Sequence, residues 1–308
     1  MKENILYAYH ISPSDIKDYP EFSTFSYNDK NYYFSLVKRD EKNFKILLEV
    51  MQELQMRKSN IFPFIMNVFG SYLTKVDNKN YVLIEMTDEQ KEYDLFDIIN
   101  FQREYTTTNK VVSLYQNDWG NLWSSKVDYL EYQMSELGKN FPTLLNSFSY
   151  YVGLAENAIS YVNSLNRRFP KEHSILVLAH KRVPYPNLRL NFDNPLNLLL
   201  DVYERDIGEY LKNLFFYNEK DALIDLKAYI EIRKPSAYQM GLLFARLLYP
   251  SYYFDIHEKI IENNLDADKV LVYTDKVNDY ENFLKDAFSL MNQYAPLEKI
   301  DWLIKKES

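Results

Sequence analysis

Up to about residue 88 the chain reads mainly as short strands, and beyond it apolar residues recur mostly at helical spacing. Ile5 to Ile11 is an apolar run of strand length. Phe22 to Tyr27 and Asn31 to Lys38 flank the turn Asn28-Asp29-Lys30 and alternate aromatic with polar residues, which predicts a hairpin. Glu41 to Lys58 sets Phe44, Leu47, Leu48, Met51 and Leu54 on one helical face. Residues 66–75 and 81–86, joined by Asp77 to Asn80, predict a second hairpin. The polar segment Thr87 to Glu92 suits an exposed crossing, so the expected domains are 1–88 and 89–308.

Helices are expected over Tyr93 to Glu104, Leu122 to Leu137, Leu144 to Leu165, Asp221 to Arg233, Ser236 to Leu248, Tyr253 to Asn263 and Asn278 to Tyr294. Thr106 to Asn109 and Asn117 to Asn121 read as loops, and the apolar half of Trp302-Leu-Ile-Lys-Lys as a docked terminus. Ser174 to Phe216 breaks this regularity. Ile175 to Leu178 is a continuous apolar run that predicts a buried strand ending at His180. Pro184 and Pro186 force a loop after it. Leu188 to Leu190 and Leu196 to Leu200 read as two more short strands hinged on Asp193, Asn194 and Pro195. Ile207, Tyr210, Leu211, Leu214 and Phe215 then mark a helix, with Asp206 as its expected N-cap.

Composition narrows the functional classes. The 46% apolar and 26% charged content is that of a globular protein, and 308 residues suit two lobes better than one core. A net charge of −8 argues against a general phosphate-binding surface, so no nucleic-acid partner is expected. No window approaches 18 uninterrupted apolar residues and the first ten residues lack an apolar signal core, so neither a membrane span nor secretion is expected. The absence of cysteine excludes disulfides, thiolate zinc sites and cysteine nucleophiles. None of the six glycines precedes Gly70, so a phosphate-cradling loop in the first quarter would lack glycine. The 28 tyrosines are read as half-buried amphipathic surface in preference to sites of oxidative cross-linking.

Candidate chemistry is concentrated in the irregular stretch. His180 ends a buried strand, where a histidine is most often a satisfied core residue, and His10, His173 and His257 are too scattered for a zinc site. No Gly-x-Ser-x-Gly elbow or Walker loop is present. Lys181, Arg182, Arg189 and Arg205 read either as an anion pocket or as partners of Asp193, Asp201, Glu204 and Asp206; salt bridging is the preferred reading.

The spacing of this stretch resembles the kinase-like fold of the aminoglycoside and choline phosphotransferases, in which a strand runs into His-Gly-Asp-x-x-x-x-Asn, a hairpin follows, and an Asp opens the metal-binding segment. Here the frame is His180, Lys181, Arg182, Asn187 and Asp201. Arg182 stands where the family's catalytic Asp accepts the hydroxyl proton, and a guanidinium is no base. Asp201-Val-Tyr-Glu-Arg-Asp-Ile-Gly is similar to the segment found in the CotS/YutH-type spore-coat branch of this superfamily.

The resemblance implies an α+β, protein-kinase-like two-lobed fold, with a small N-terminal antiparallel sheet plus one helix and a larger, mainly helical C-terminal lobe. It places the phosphate-pairing lysine at Lys38, its acidic holder at Glu49 and the hinge at Glu85 and Met86. It also puts the nucleotide flap at the first hairpin, where Phe25 and Tyr27 replace the small residues the family uses. Asn187 and Asp201 are read as structural in preference to metal-binding. The implied function is a catalytically inactive kinase-like protein with no catalytic residue, metal or cofactor, binding other spore-coat or sporulation proteins in the mother-cell cytoplasm or the coat. The alternatives are an active small-molecule kinase that uses ATP and Mg²⁺ with Asp193 or Asp201 as base, and a binder of a phosphorylated metabolite.

Overall fold

The computed structural model describes all residues except 58, 108–113, 115–117, 173–174, 218–220, 264 and 305–308. In chain order the elements are α1 (Lys2–Tyr9), β1 (Lys17–Asp18), β2 (Phe22–Tyr27), β3 (Lys30–Leu36), α2 (Glu41–Met56), β4 (Phe64–Ile65), β5 (Thr74–Val76) and β6 (Lys79–Met86). There follow α3 (Leu95–Glu104), β7 (Thr106–Thr107), α4 (Trp119–Leu137), α5 (Pro142–Arg168), β8 (Leu176–His180), α6 (Arg189–Phe192) and β9 (Leu198–Asp201). The remainder is helical: α7 (Glu204–Tyr217), α8 (Ala222–Arg233), α9 (Ala237–Leu248), α10 (Ser251–Asn263), α11 (Leu271–Thr274), α12 (Val277–Asn292) and α13 (Asp301–Ile304). The class is the expected α+β. By contacts the chain divides into residues 1–115 with 177–200, and residues 116–176 with 201–308, a division that falls elsewhere than residue 88.

The first unit is built on an antiparallel sheet in the order β1-β2-β3-β6-β4, with β5 also paired to β6. The hairpin β2–β3 forms in the register Phe25 to Tyr32, and those two rings stack at 5.3 Å. Phe34 on β3 stacks on Tyr81 at 5.1 Å. These rings share a buried cluster with Ile5, Ala8 and Tyr9 of α1. That cluster explains why Ile5 to Ile11 is a helix and not the expected strand: the i, i+3, i+4 spacing turns three apolar side chains onto the sheet. His10 ends it in the left-handed region at φ 54°. On α2 the buried stripe is Phe44, Leu47, Val50, Met51 and Leu54, so Val50 takes the place expected of Leu48.

Most of 66–75 is loop. The Asn67 side-chain oxygen accepts the Phe69 and Ser71 amides, each at 3.0 Å, and so withdraws them from a ladder. Thr106–Thr107 pair as a short strand in a second sheet, β7-β8-β9, while 108–109 lie outside the described residues. Leu188 to Leu190 are not a strand, because the Leu188 carbonyl accepts the amides of Asn191 at 3.0 Å and Phe192 at 3.3 Å and opens α6.

In the second unit the 27-residue α5 buries Leu144, Phe148, Tyr151, Ala155, Ala158 and Leu165 along one face. Helix α9 packs against both α5 and α7. Two glycines permit the approach: a Cβ on Gly208 would lie 2.6 Å from Arg246 Cγ, and one on Gly241 2.6 Å from Leu165 Cδ1. Trp119–Asn121 begin α4 and are not loop, while Asn117 lies outside the described residues. Asp206 is not an N-cap but an internal, fully buried residue of α7. Beginning the helix at Glu204 brings Arg205 to Asp201 four residues earlier. Leu303 is buried, as expected for a docked terminus, while residues 305 and 306 lie outside the described part.

Candidate functional site

Asn197 holds the start of the loop after β8. Asn197 donates from Nδ2 to the Arg182 carbonyl at 2.7 Å and accepts the Arg182 amide at 3.1 Å, and its own carbonyl accepts the Lys181 amide at 2.7 Å. Arg182 is exposed, and its Nη1 donates to the Lys181 carbonyl at 2.9 Å. His180 is buried; its Nε2 donates to the Phe192 carbonyl at 2.9 Å, and its ring stacks on Phe192 at 4.4 Å. Asn187 is also buried, and its carbonyl accepts the Tyr93 amide at 2.9 Å. His180, Arg182 and Asn187 belong to the first unit.

Asp201 belongs to the second unit and is fully buried. Its Oδ2 accepts Arg205 Nη1 at 2.7 Å and Trp119 Nε1 at 3.0 Å, and its Oδ1 accepts the Val202 amide at 2.8 Å. Burial raises the carboxyl pKa, and Arg205 opposes the shift. Buried and with both oxygens committed to protein donors, this carboxylate does not fit Mg²⁺, which asks for carboxylate oxygens in open octahedral geometry. Among the described residues no group of three or more His, Asp or Glu could hold a metal.

The cofactor-binding residues expected from the resemblance are dispersed. Lys38 pairs with Glu21 at 2.7 Å, both of them exposed, and not with Glu49. Glu49 faces outward from α2 because Phe44, Leu47 and Val50 occupy the inner face. Glu85 Oε1 accepts Lys30 Nζ at 2.8 Å. Met86 is buried and lines a pocket of about 600 Å³ with Phe22, Phe25 and Tyr33. Phe25 lies in the sheet core and its hairpin leaves that pocket open. Asp193, a base candidate in the active-kinase reading, is 3% exposed and held by Arg189 at 3.4 Å; burial raises its carboxyl to about 6 against the Arg189 charge. Arg189 also pairs with Asp97, so Arg189 and Arg205 are salt-bridge residues.

A second pocket in the first unit, of about 440 Å³, was only partly legible. Lys38, Arg39, Lys181 and Arg182 line it. Burial, then the charges of Arg39, Lys38 and Arg182, push the Lys181 ammonium down to about 8. Burial also lowers Arg39, to about 10; its Nη2 donates to the Leu196 and Leu198 carbonyls. Arg39 was missed in the sequence. The available signal was the doubled cation, Lys38-Arg39 and Lys181-Arg182, on two segments that each follow a strand.

Residues 2–287 match the family described as "Spore coat putative kinase YutH". The chain belongs to this family. An endospore coat-associated YutH protein of Bacillus subtilis (strain 168) is 27% identical over 216 residues, and the match spans 62% of this chain and 62% of that relative. Among solved structures, an aminoglycoside phosphotransferase from Alicyclobacillus acidocaldarius is similar with a TM-score of 0.69 at 10% identity, covering 95% of this chain and 97% of the other. A spectinomycin phosphotransferase in its AMP-bound form gives a TM-score of 0.59 at 12% identity, covering 94% and 97%. At such identities the likeness shows the fold: this YutH-family chain has the aminoglycoside phosphotransferase fold. No helix among its described residues is long and apolar enough to cross a membrane.

Proposed function

We propose that this chain is a kinase-like protein without phosphotransferase activity that acts as a binding component in assembly of the bacterial spore coat. Its partners are other spore-coat or sporulation proteins, and it is located in the mother cell or the coat. Family membership supports the spore-coat assignment. The observation that carries the inactivity is the chemistry of the loop. Arg182 stands at the base position, and a guanidinium does not release its proton at working pH. Neither replacement acid can take over: Asp201 has both oxygens committed, and Asp193 is buried on Arg189 and lines neither of the two pockets described above. General base catalysis needs a proton acceptor within hydrogen-bond reach of the hydroxyl.

The test is transfer of labelled γ-phosphate from ATP with Mg²⁺ or Mn²⁺ to a panel of aminoglycosides and amino alcohols. No product above a heat-killed control is expected. Product formation that ceases in Asp193→Asn or Asp201→Asn would overturn the proposal. A fluorescent fusion expressed during sporulation is expected to ring the forming spore.

A further inference from the structure

The first unit carries an apolar surface that its own core does not use. On α1, Ile5, Ala8 and Tyr9 join the sheet cluster, while the stripe Glu3, Leu6, Tyr7 and His10, at i, i+3, i+4 and i+7, is exposed. Val68 and Phe69 of the loop after β4 lie beside it. The Val68 amide donates to the Ala8 carbonyl at 2.9 Å, and the Phe69 ring is 5.4 Å from that of Tyr7. Tyr7 is 71% and Phe69 64% exposed. The loop holds these side chains out: buried Asn67 accepts the Phe69 and Ser71 amides and donates to the Leu73 carbonyl at 3.1 Å and to Thr74 Oγ1 at 3.2 Å. Gly70 turns the chain at φ 76°, with nothing within 4 Å of where a Cβ would stand. A surface fixed in this way loses little conformational freedom when it is covered. Residues 61–74 also carry no charged side chain in a chain that is 26% charged, the depletion that marks the centre of an interface.

We propose that this face docks a second copy of the chain, in an antiparallel two-fold contact between the α1 helices with Tyr7 and Phe69 as anchors. Charge complementarity selects the occupant. A dyad midway between Leu6 and Tyr7 sets residue 3 of each helix against residue 10 of the other, so Glu3 meets His10 of the second copy on both sides of the axis. An imidazole N–H donates to a carboxylate, and the opposed helix dipoles attract. A parallel pair would set Glu3 against Glu3 and align the dipoles, and a partner of one charge would meet both signs. Size sets the strength. With Met66 of the same loop the exposed apolar area is on the order of 500 Å². That falls short of the roughly 800 Å² per partner of a stable interface, so the dimer is a reversible one with a Kd in the micromolar range. The contact uses a face on which the proposed function does not depend, so either can fail alone.

Sedimentation velocity of the full chain from about 1 to about 200 µM is expected to show a monomer–dimer equilibrium. Tyr7→Glu and Phe69→Ser should each weaken it by about tenfold or more, with melting unchanged because both side chains are exposed. Glu3→Arg should weaken it, and Glu3→Arg together with His10→Glu should restore it. The chain has no cysteine, so Leu6→Cys supplies a single thiol. On mild oxidation this variant should give a disulfide-linked dimer, since only residues near the dyad bring their Cα atoms within about 7 Å of each other. Lys45→Cys, exposed on α2, should give none. A chain that stays monomeric throughout this range would overturn the proposal, even if the face retained another protein or a lipid vesicle. So would a dimer indifferent to both aromatic substitutions, or equal cross-linking through position 45.

Discussion

Removal of the Asp201 carboxylate separates a structural role from a metal-binding one. In Asp201→Ala the buried Arg205, 7% exposed at its side chain, loses one carboxylate acceptor at 2.7 Å, and the Trp119 indole loses its acceptor at 3.0 Å. Breaking one side of a buried pair costs about 3–5 kcal/mol, because the remaining charge stays desolvated. For a unit of this size that corresponds to a fall in melting temperature on the order of 10 °C. Trp119, Trp123 and Trp302 all lie in the second unit, so tryptophan fluorescence during urea or thermal unfolding reports on that unit. The double variant Asp201→Leu with Arg205→Met should recover most of the loss, since replacing both charges by apolar groups of similar volume is nearly neutral. Mg²⁺ should leave the wild-type melting curve unchanged. The reasoning is refuted if Mg²⁺ stabilises the wild type, Asp201→Asn abolishes that stabilisation, and the substitution itself costs less than about 1 kcal/mol.

Glu204 is 1% exposed, with the Tyr229 hydroxyl donating to it at 3.3 Å, and burial raises its carboxyl from 4.5 to about 7. The folded state therefore binds the proton more tightly. Its stabilising contribution is full below about pH 4.5 and is lost as pH rises through 7, by about 3 kcal/mol; Glu204→Gln should flatten that decline in second-unit stability and exceed the wild type at pH 8 in denaturant titrations. Gly208→Ala should cost about 1–3 kcal/mol, because the new methyl meets Arg246 at 2.6 Å and that side chain is tethered by Glu209 at 2.7 Å. A change within 0.5 kcal/mol, roughly the scatter of ordinary surface substitutions, would show that α7 and α9 can separate freely. Lys38→Ala and Glu49→Ala should each shift first-unit stability, followed by hydrogen exchange of β3 and β6, by less than about 1 kcal/mol, because both residues are exposed. A larger loss in both would restore the pair expected from the resemblance.

The buried chemistry of the second unit shows where local reading stops. Lys212 looks like an ordinary wet-face residue of α7, yet it is 1% exposed and donates to Glu209 at 2.8 Å, to Ser251 at 2.6 Å and to the carbonyls of Arg246 and Tyr249 at 3.1 Å. Burial pushes its ammonium down to about 8 against the Glu209 charge. Glu209 is held well below the usual carboxylate range by Arg246 and Lys212, despite burial. Nothing in the spacing of α7 reveals that its charged face meets the charged end of α9, because the partners are more than thirty residues away.

What the sequence determined by itself was whatever is periodic or sterically local. The hairpin over 22–36, the helices α2 to α5, α7 to α10 and α12, and the punctuation by proline follow from apolar spacing and turn chemistry, and Arg182 is a non-base whatever surrounds it. Tertiary structure decided what depends on partners. The apolar residues of Ile5 to Ile11 became helix because a sheet waited to receive Ile5, Ala8 and Tyr9 on one face. Lys38 turned to Glu21 instead of Glu49, and Arg39 joined Lys181 across more than 140 residues of chain, because charge energies depend on distance and burial, which only the folded chain sets.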